Sequence, residues 1–145
     1  MKIRIITIAH REEPASAQLF NEYVKRLRHY CTLETIAVKA GNQKDEATEV
    51  LKKVSGNEEL ILLDESGKEF SSMEFSDWLQ KKLNASGNLS FAVGSAYGFH
   101  ESLKEKSSMK VSLSRMTLPH QLAKVIFAEQ LYRAFTIIRN EKYHH

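Results

Sequence analysis

Short β-branched apolar stretches alternate with segments of helical periodicity along the whole chain, and this alternation limits the fold more than any other feature. Residues 2–9 read as a mostly apolar strand, and after Pro14 the residues Phe20, Tyr23, Val24 and Leu27 recur as one helical stripe. Residues 32–38 form a second strand pattern, 45–55 a polar helix with Ala47, Val50, Leu51 and Val54 inward, and 59–63 a third strand. Ser71 stands three residues before Glu74, the spacing of a capping box, so a third helix carrying Phe75, Trp78, Leu79 and Leu83 runs to about Asn84 and stops at Gly87. A fourth strand over 89–93, a short polar helix over 101–106 and a fifth strand over 110–113 follow. The last helix starts with Pro119 in its first turn, where a missing N–H costs nothing. Its inward face carries Val125, Ile126, Leu131, Tyr132, Phe135 and Ile138, with Lys124, Arg133 and Arg139 nearer the edges. The pattern predicts an α/β fold with a mostly parallel sheet of five or six strands, helices on both faces, and ligands at the carboxyl ends of the strands.

The 145 residues suit one domain spanning 1–145, and a composition 42% hydrophobic and 27% charged argues against disorder. The longest apolar runs, such as residues 5–9, are far too short to span a bilayer, and the N-terminal residues lead straight into a strand pattern. The expectation is a cytoplasmic protein without a membrane partner. Cys31 is the sole cysteine, which excludes an intramolecular disulfide and a cysteine-rich metal site and suits a small packed residue. A net charge of +3 permits contact with nucleic acid without demanding it.

Three of the expected strand ends carry unusual loops, at residues 64–68, 94–98 and 114–119. Gly94 and Gly98 bracket a tight loop, where glycine allows positive φ or close approach of the backbone to a flat ligand; an ordinary turn fits them as well. Their order and position do not match the dinucleotide fingerprint. Residues 114–119 read either as a ligand loop or as a connector with Met116 and Leu118 packed into the core. His120 suits a local bond to backbone. Arg133 follows Glu129 by four residues, the favoured order for a helical ion pair, and equally suits contact with phosphate or a base. Lys25, Arg26, Arg28, Lys52, Lys53, Lys81 and Lys82 read as solvated helix faces. The terminal Tyr143, His144 and His145 fit a frayed end, or an aromatic and imidazole pair that stacks on and bonds to RNA.

Residues 117–121 (TLPHQ), 129–134 (EQLYRA), the Tyr143-His144 pair, 62–68 (LLDESGK) and 91–100 (FAVGSAYGFH) together resemble the SPOUT-class ribosomal RNA large-subunit methyltransferase H family. Ser95 departs from that family, which usually has a second glycine there. The resemblance implies a SPOUT-type fold with a C-terminal trefoil knot. It implies S-adenosyl-L-methionine as cofactor, held by Leu63, Gly94, Ser95, Leu113, Ser114, Arg115, Met116, Thr117, Leu118 and Pro119, with main-chain groups meeting the adenine edge. Arg133 and His144 are then catalytic, and Arg133, Lys142, Tyr143 and His144 face RNA. The implied reaction methylates N3 of a pseudouridine in 23S rRNA of assembled ribosomes, without a metal. The implied assembly is a homodimer in which one tail completes the partner's site. His144, water or anion stabilisation by Arg133 would account for loss of the nitrogen's proton. A non-catalytic nucleotide-binding module and a ribosome-associated factor are the competing classes, since fold alone does not establish catalysis.

Overall fold

The computed structural model describes residues 1–9, 11–94 and 98–145. Five strands form one parallel sheet in the order β2-β1-β4-β3-β5, where β1 is Lys2–Ala9, β2 Thr32–Lys39, β3 Glu59–Glu69, β4 Asn88–Val93 and β5 Met109–Ser112. Helices α1 (Pro14–Leu27), α2 (Gln43–Lys53), α3 (Ser72–Ala85), α4 (Glu101–Lys106) and α5 (His120–Ile138) connect and cover it.

Side-chain alternation along the strands divides the core between the two faces. Ile3 and Ile5, Ile61 and Leu63, and Leu89, Phe91 and Val93 point to one face, where α1, α3 and α5 bring Phe20, Leu27, Phe75, Leu79, Phe127 and Leu131. Ile6 and Ile8, Leu60 and Leu62, and Ala92 point to the other, beneath Ala47, Val50 and Leu103 of α2 and α4. The first layer is rich in aromatic rings: Phe91 and Phe127 lie with centroids 4.7 Å apart, and Phe75 stacks on Trp78 at 5.5 Å.

The expected capping box is present. Ser71 accepts from the Glu74 amide at 3.1 Å, and the Glu74 carboxylate accepts from the Ser71 amide at 2.7 Å. That reciprocal pair satisfies two amides that the first turn of α3 would otherwise leave unbonded.

Four expectations change. Residues 64–68, expected as a loop after the third strand, lie within β3: both Leu63 and Lys68 register with Val111, so residues 64–67 bulge out of a strand that continues to Glu69. Pro119 is the N-cap of α5 instead of a residue of its first turn, with φ −58° and ψ 142°, and its carbonyl accepts from the amides of Leu122 and Ala123. Lys124 is not at an edge. It is 3% exposed, because α1 crosses that flank of α5 and places the Phe20 ring 5.4 Å from the ammonium. Ile126, expected inward, is 36% exposed, and Leu122, one turn earlier, is 53% exposed. Helix α5 is apolar around most of its circumference, so periodicity could not select the face that the sheet covers.

Candidate active site

The bulge of β3 and the carboxyl ends of β4 and β5 open into a cleft of about 660 Å³, within the range of small-molecule sites. Its lining includes Leu63, Gly94, Leu113, Ser114, Met116, Thr117, Leu118 and Pro119, so eight of the ten cofactor residues expected from sequence converge on one space. Arg115 does not line it: its side chain is 83% exposed and turns to Glu69 at 3.6 Å, leaving only main chain to serve a ligand there. Ser95 lies outside the described residues.

Two glycines shape the cleft for different reasons. Gly98 has φ +78°, a conformation that side chains rarely adopt. Gly94 makes room for a neighbour, since a Cβ there would stand 2.9 Å from the tip of the buried Phe99 ring and that ring would have to shift. A third, Gly67, was visible only as part of a motif. A Cβ on it would lie 2.6 Å from the Lys110 carbonyl carbon, so its absence is what lets the bulge of β3 press against β5.

Sequence reasoning passed over the polar rim. Asp64, Glu65, Ser66 and Lys104 also line the cleft, and Glu65 accepts a 2.8 Å hydrogen bond from the Thr117 hydroxyl, tying the bulge of β3 to the loop before α5. Burial raises the Asp64 carboxyl, but hydrogen bonds from the Ser66 hydroxyl and amide, with Lys110 and Lys104 nearby, outweigh it and leave that carboxyl below its usual range. For Asp64, Glu65 and Ser66 the sequence signal is the LLDESGK segment at residues 62–68, whereas nothing in the sequence marks Lys104.

The remaining expected residues gather elsewhere. Arg133 donates from Nε to Glu129 Oε1 at 2.7 Å, its NH1 lies 3.0 Å from His144 Nδ1, and its carbon Cζ sits 4.9 Å from the Tyr143 centroid. Tyr143 also packs edge-on to Tyr132 at 4.7 Å. Burial, and then a hydrogen bond with Tyr23, push the Tyr143 phenol up to about 12. The tail is thus folded back on α1 and α5 and is not frayed. Exposed Lys142 and Arg139 flank it, with Arg139 over the Tyr30 ring at 5.1 Å. Arg26, read from sequence as solvated, lies over both Tyr23 and Tyr132 at 5.3 and 5.5 Å.

None of Arg133, Lys142, Tyr143 and His144 lines the cleft. Ala123 does, and Arg133 lies ten residue steps further along the helix, about 15 Å at 1.5 Å per residue.

Known proteins share both the sequence and the architecture. The family model described as "Predicted SPOUT methyltransferase" matches residues 1–144. Proteins named ribosomal RNA large subunit methyltransferase H are 44% identical in Flavobacterium johnsoniae and 41% identical in Parabacteroides distasonis, each over 100% of this chain and 99% of the relative. The chain belongs to the ribosomal RNA large subunit methyltransferase H family. Another member of this SPOUT family, from Cytophaga hutchinsonii, is 39% identical with both chains covered in full. The solved SpoU methyltransferase AviRb of Streptomyces viridochromogenes, in complex with the cofactor AdoMet, superposes with TM-score 0.51 at 12% identity, over 95% of this chain and 58% of that one. At that identity the likeness concerns the fold.

Proposed function

We propose that this protein is an S-adenosyl-L-methionine-dependent methyltransferase acting on N3 of a pseudouridine in 23S rRNA of assembled ribosomes, in the cytoplasm and as a homodimer. The observation that carries the reading is the convergence of the β3 bulge, the end of β4 and the loop after β5 on one cleft in a chain of this family. Its volume suits a nucleoside with an amino-acid tail. Its walls offer the apolar Leu63, Val93, Phe99, Leu113 and Leu118, with backbone of residues 113–118 for the adenine edge. The C-terminal trefoil knot of the family belongs to the same reading.

The cofactor, when bound, supplies an electrophilic methyl on its sulfonium. Leu63, Gly94 and residues 113–119 hold it in line with the incoming nitrogen, an orientation effect that alone can supply several kcal/mol, up to about 7 to 11 in the best-aligned cases. The nitrogen loses its proton to solvent, and the carbonyls beside it take up the negative charge. Arg133 stabilises that charge, as a guanidinium with fixed donors does well. Arg133, Lys142, Tyr143 and His144 form the RNA side.

The separation of about 15 Å along α5 between cleft and Arg133 argues for the dimer, because no side chain bridges that gap. A second subunit that brings its own tail to the first subunit's cleft closes it. The exposed Leu122 and Ile126 give α5 an apolar strip for such an interface.

The test is transfer of a labelled methyl group from S-adenosylmethionine to ribosomes lacking the modification, with the labelled nucleotide mapped. Label at a single pseudouridine supports the reading. Cofactor binding without transfer supports a non-catalytic nucleotide-binding module, and absence of cofactor binding supports a ribosome-associated factor.

A further inference from the structure

The contact between Arg133 and His144 fixes more than proximity. A guanidinium has N–H donors and no acceptor, so the His144 Nδ1 facing its NH1 at 3.0 Å must present a lone pair. The ring is then neutral and carries its proton on Nε2. An imidazolium would set N–H against N–H and cation against cation at the same distance.

The aim of Arg133 is itself imposed. Its Nε and NH2 both lie 2.7 Å from Glu129 Oε1, with the two side chains only 24% and 18% exposed, so solvent screens this pair less than an open surface pair. Glu129 is held from behind as well: its Oε2 accepts from Gln130 Nε2 at 3.3 Å, and Gln130 Oε1 accepts from the Ser72 hydroxyl at 2.7 Å. An unbroken chain of hydrogen bonds therefore runs from Ser72 in the first turn of α3 through Gln130, Glu129 and Arg133 to the His144 imidazole. The Tyr143 ring covers one face of the guanidinium at 4.9 Å, leaving Glu129 to fix its rotation in the plane.

We propose that Glu129 is a positioning residue that, through Arg133, locks His144 as the Nε2–H tautomer, so that this imidazole meets a carbonyl oxygen of the target base as a hydrogen-bond donor and not as the proton acceptor. The proposal rests on the methyltransferase reading for its substrate. A donor at a carbonyl beside the reacting nitrogen stabilises the charge that appears there when the proton leaves. It complements Arg133 and leaves proton removal to solvent.

The experiment uses the full chain with 15N-labelled histidine, the His144 signals being assigned from a His144→Asn variant. Long-range proton–nitrogen correlation at neutral pH is expected to show only the Nε2–H pattern in the parent, and the mixed tautomers of a free histidine in Glu129→Ala. Methyl transfer by Glu129→Ala is expected to fall at least tenfold in kcat with the cofactor KM within twofold, and Glu129→Asp to recover part of it. Arg133→Met removes every donor facing Nδ1 and should release the tautomer too, which covers the case of a misfolded Glu129→Ala. An Nδ1–H or mixed parent ring overturns the proposal, as does a tautomer unchanged in folded Glu129→Ala and in Arg133→Met. A locked ring in a parent that methylates no RNA leaves the relay standing and removes the methyltransferase reading instead.

Discussion

Replacing Gly67 by alanine tests whether the bulge of β3 depends on the missing side chain. The new Cβ would lie 2.6 Å from the Lys110 carbonyl carbon and 2.7 Å from both the Lys110 oxygen and the Val111 nitrogen. All three are backbone atoms, so no rotamer change relieves the clash, and β5 must move by about 0.8 Å to reach the 3.4 Å of ordinary contact. That movement strains the pairs Lys68↔Val111 and Glu69↔Ser112. Overpacking of this kind costs about 1 to 3 kcal/mol, and weakening one or two ladder hydrogen bonds adds about 1 more, giving roughly 2 to 4 kcal/mol. At about 3 °C per kcal/mol for a chain near this length, the melting temperature should fall by roughly 6 to 12 °C at fixed protein concentration. Cofactor affinity should fall with it, because Leu63 just before the bulge, Ser66 within it and Leu113 just after β5 share the cleft. Urea unfolding and calorimetric titration measure the two effects. Gly41→Ala, where a Cβ meets nothing within 4 Å, is the control and should be neutral or slightly stabilising. A Gly67→Ala protein within 0.5 kcal/mol of the parent, by order of magnitude the scatter of surface substitutions, would refute the steric account.

Removal of residues 143–145 should abolish methylation of ribosomes while leaving cofactor affinity nearly unchanged, since Tyr143 and His144 pack on α5 and not in the cleft; single-turnover methylation beside titration decides it. Ser95→Gly should bind cofactor at least as well as the parent, and a marked loss of affinity by calorimetry would show that the hydroxyl contacts the ligand. Dilution should lower the sedimentation coefficient and methyl transfer together, whereas a fully active monomer would defeat the shared site. Burial pushes the Cys31 thiol up to about 11 from an ordinary value of 9.0, so the folded chain keeps that proton after the unfolded chain has lost it. The associated stability is present below about pH 9 and is lost as pH rises to about 11; in Cys31→Ala this part of the alkaline loss, read by urea unfolding, should disappear.

What the sequence by itself determined is the part of this protein governed by local rules. Strand and helix periods differ, so ten elements could be placed from Lys2 to Ile138 with ends that mostly shift by one or two residues. The Ser71 and Glu74 cap was legible because both partners lie within one turn. Two of the segments around the cleft, those after β4 and β5, were legible as strand ends, where ligands gather in a parallel sheet, whereas the third is a bulge within β3. Tertiary structure decided whatever depends on a neighbour distant in the chain. Lys124 is buried because Phe20 lies over it, and Ile126 is exposed because, among the described residues, no element covers that side of α5. Gly67 matters because Lys110, 43 residues further on, passes against it. The pairing of Arg133 with His144 required the tail to turn back along α5, and neither the i,i+4 spacing of Glu129 and Arg133 nor the terminal histidines contains that turn. Periodicity reports which residues share a face; only packing decides which face is covered and which side chains from remote segments meet.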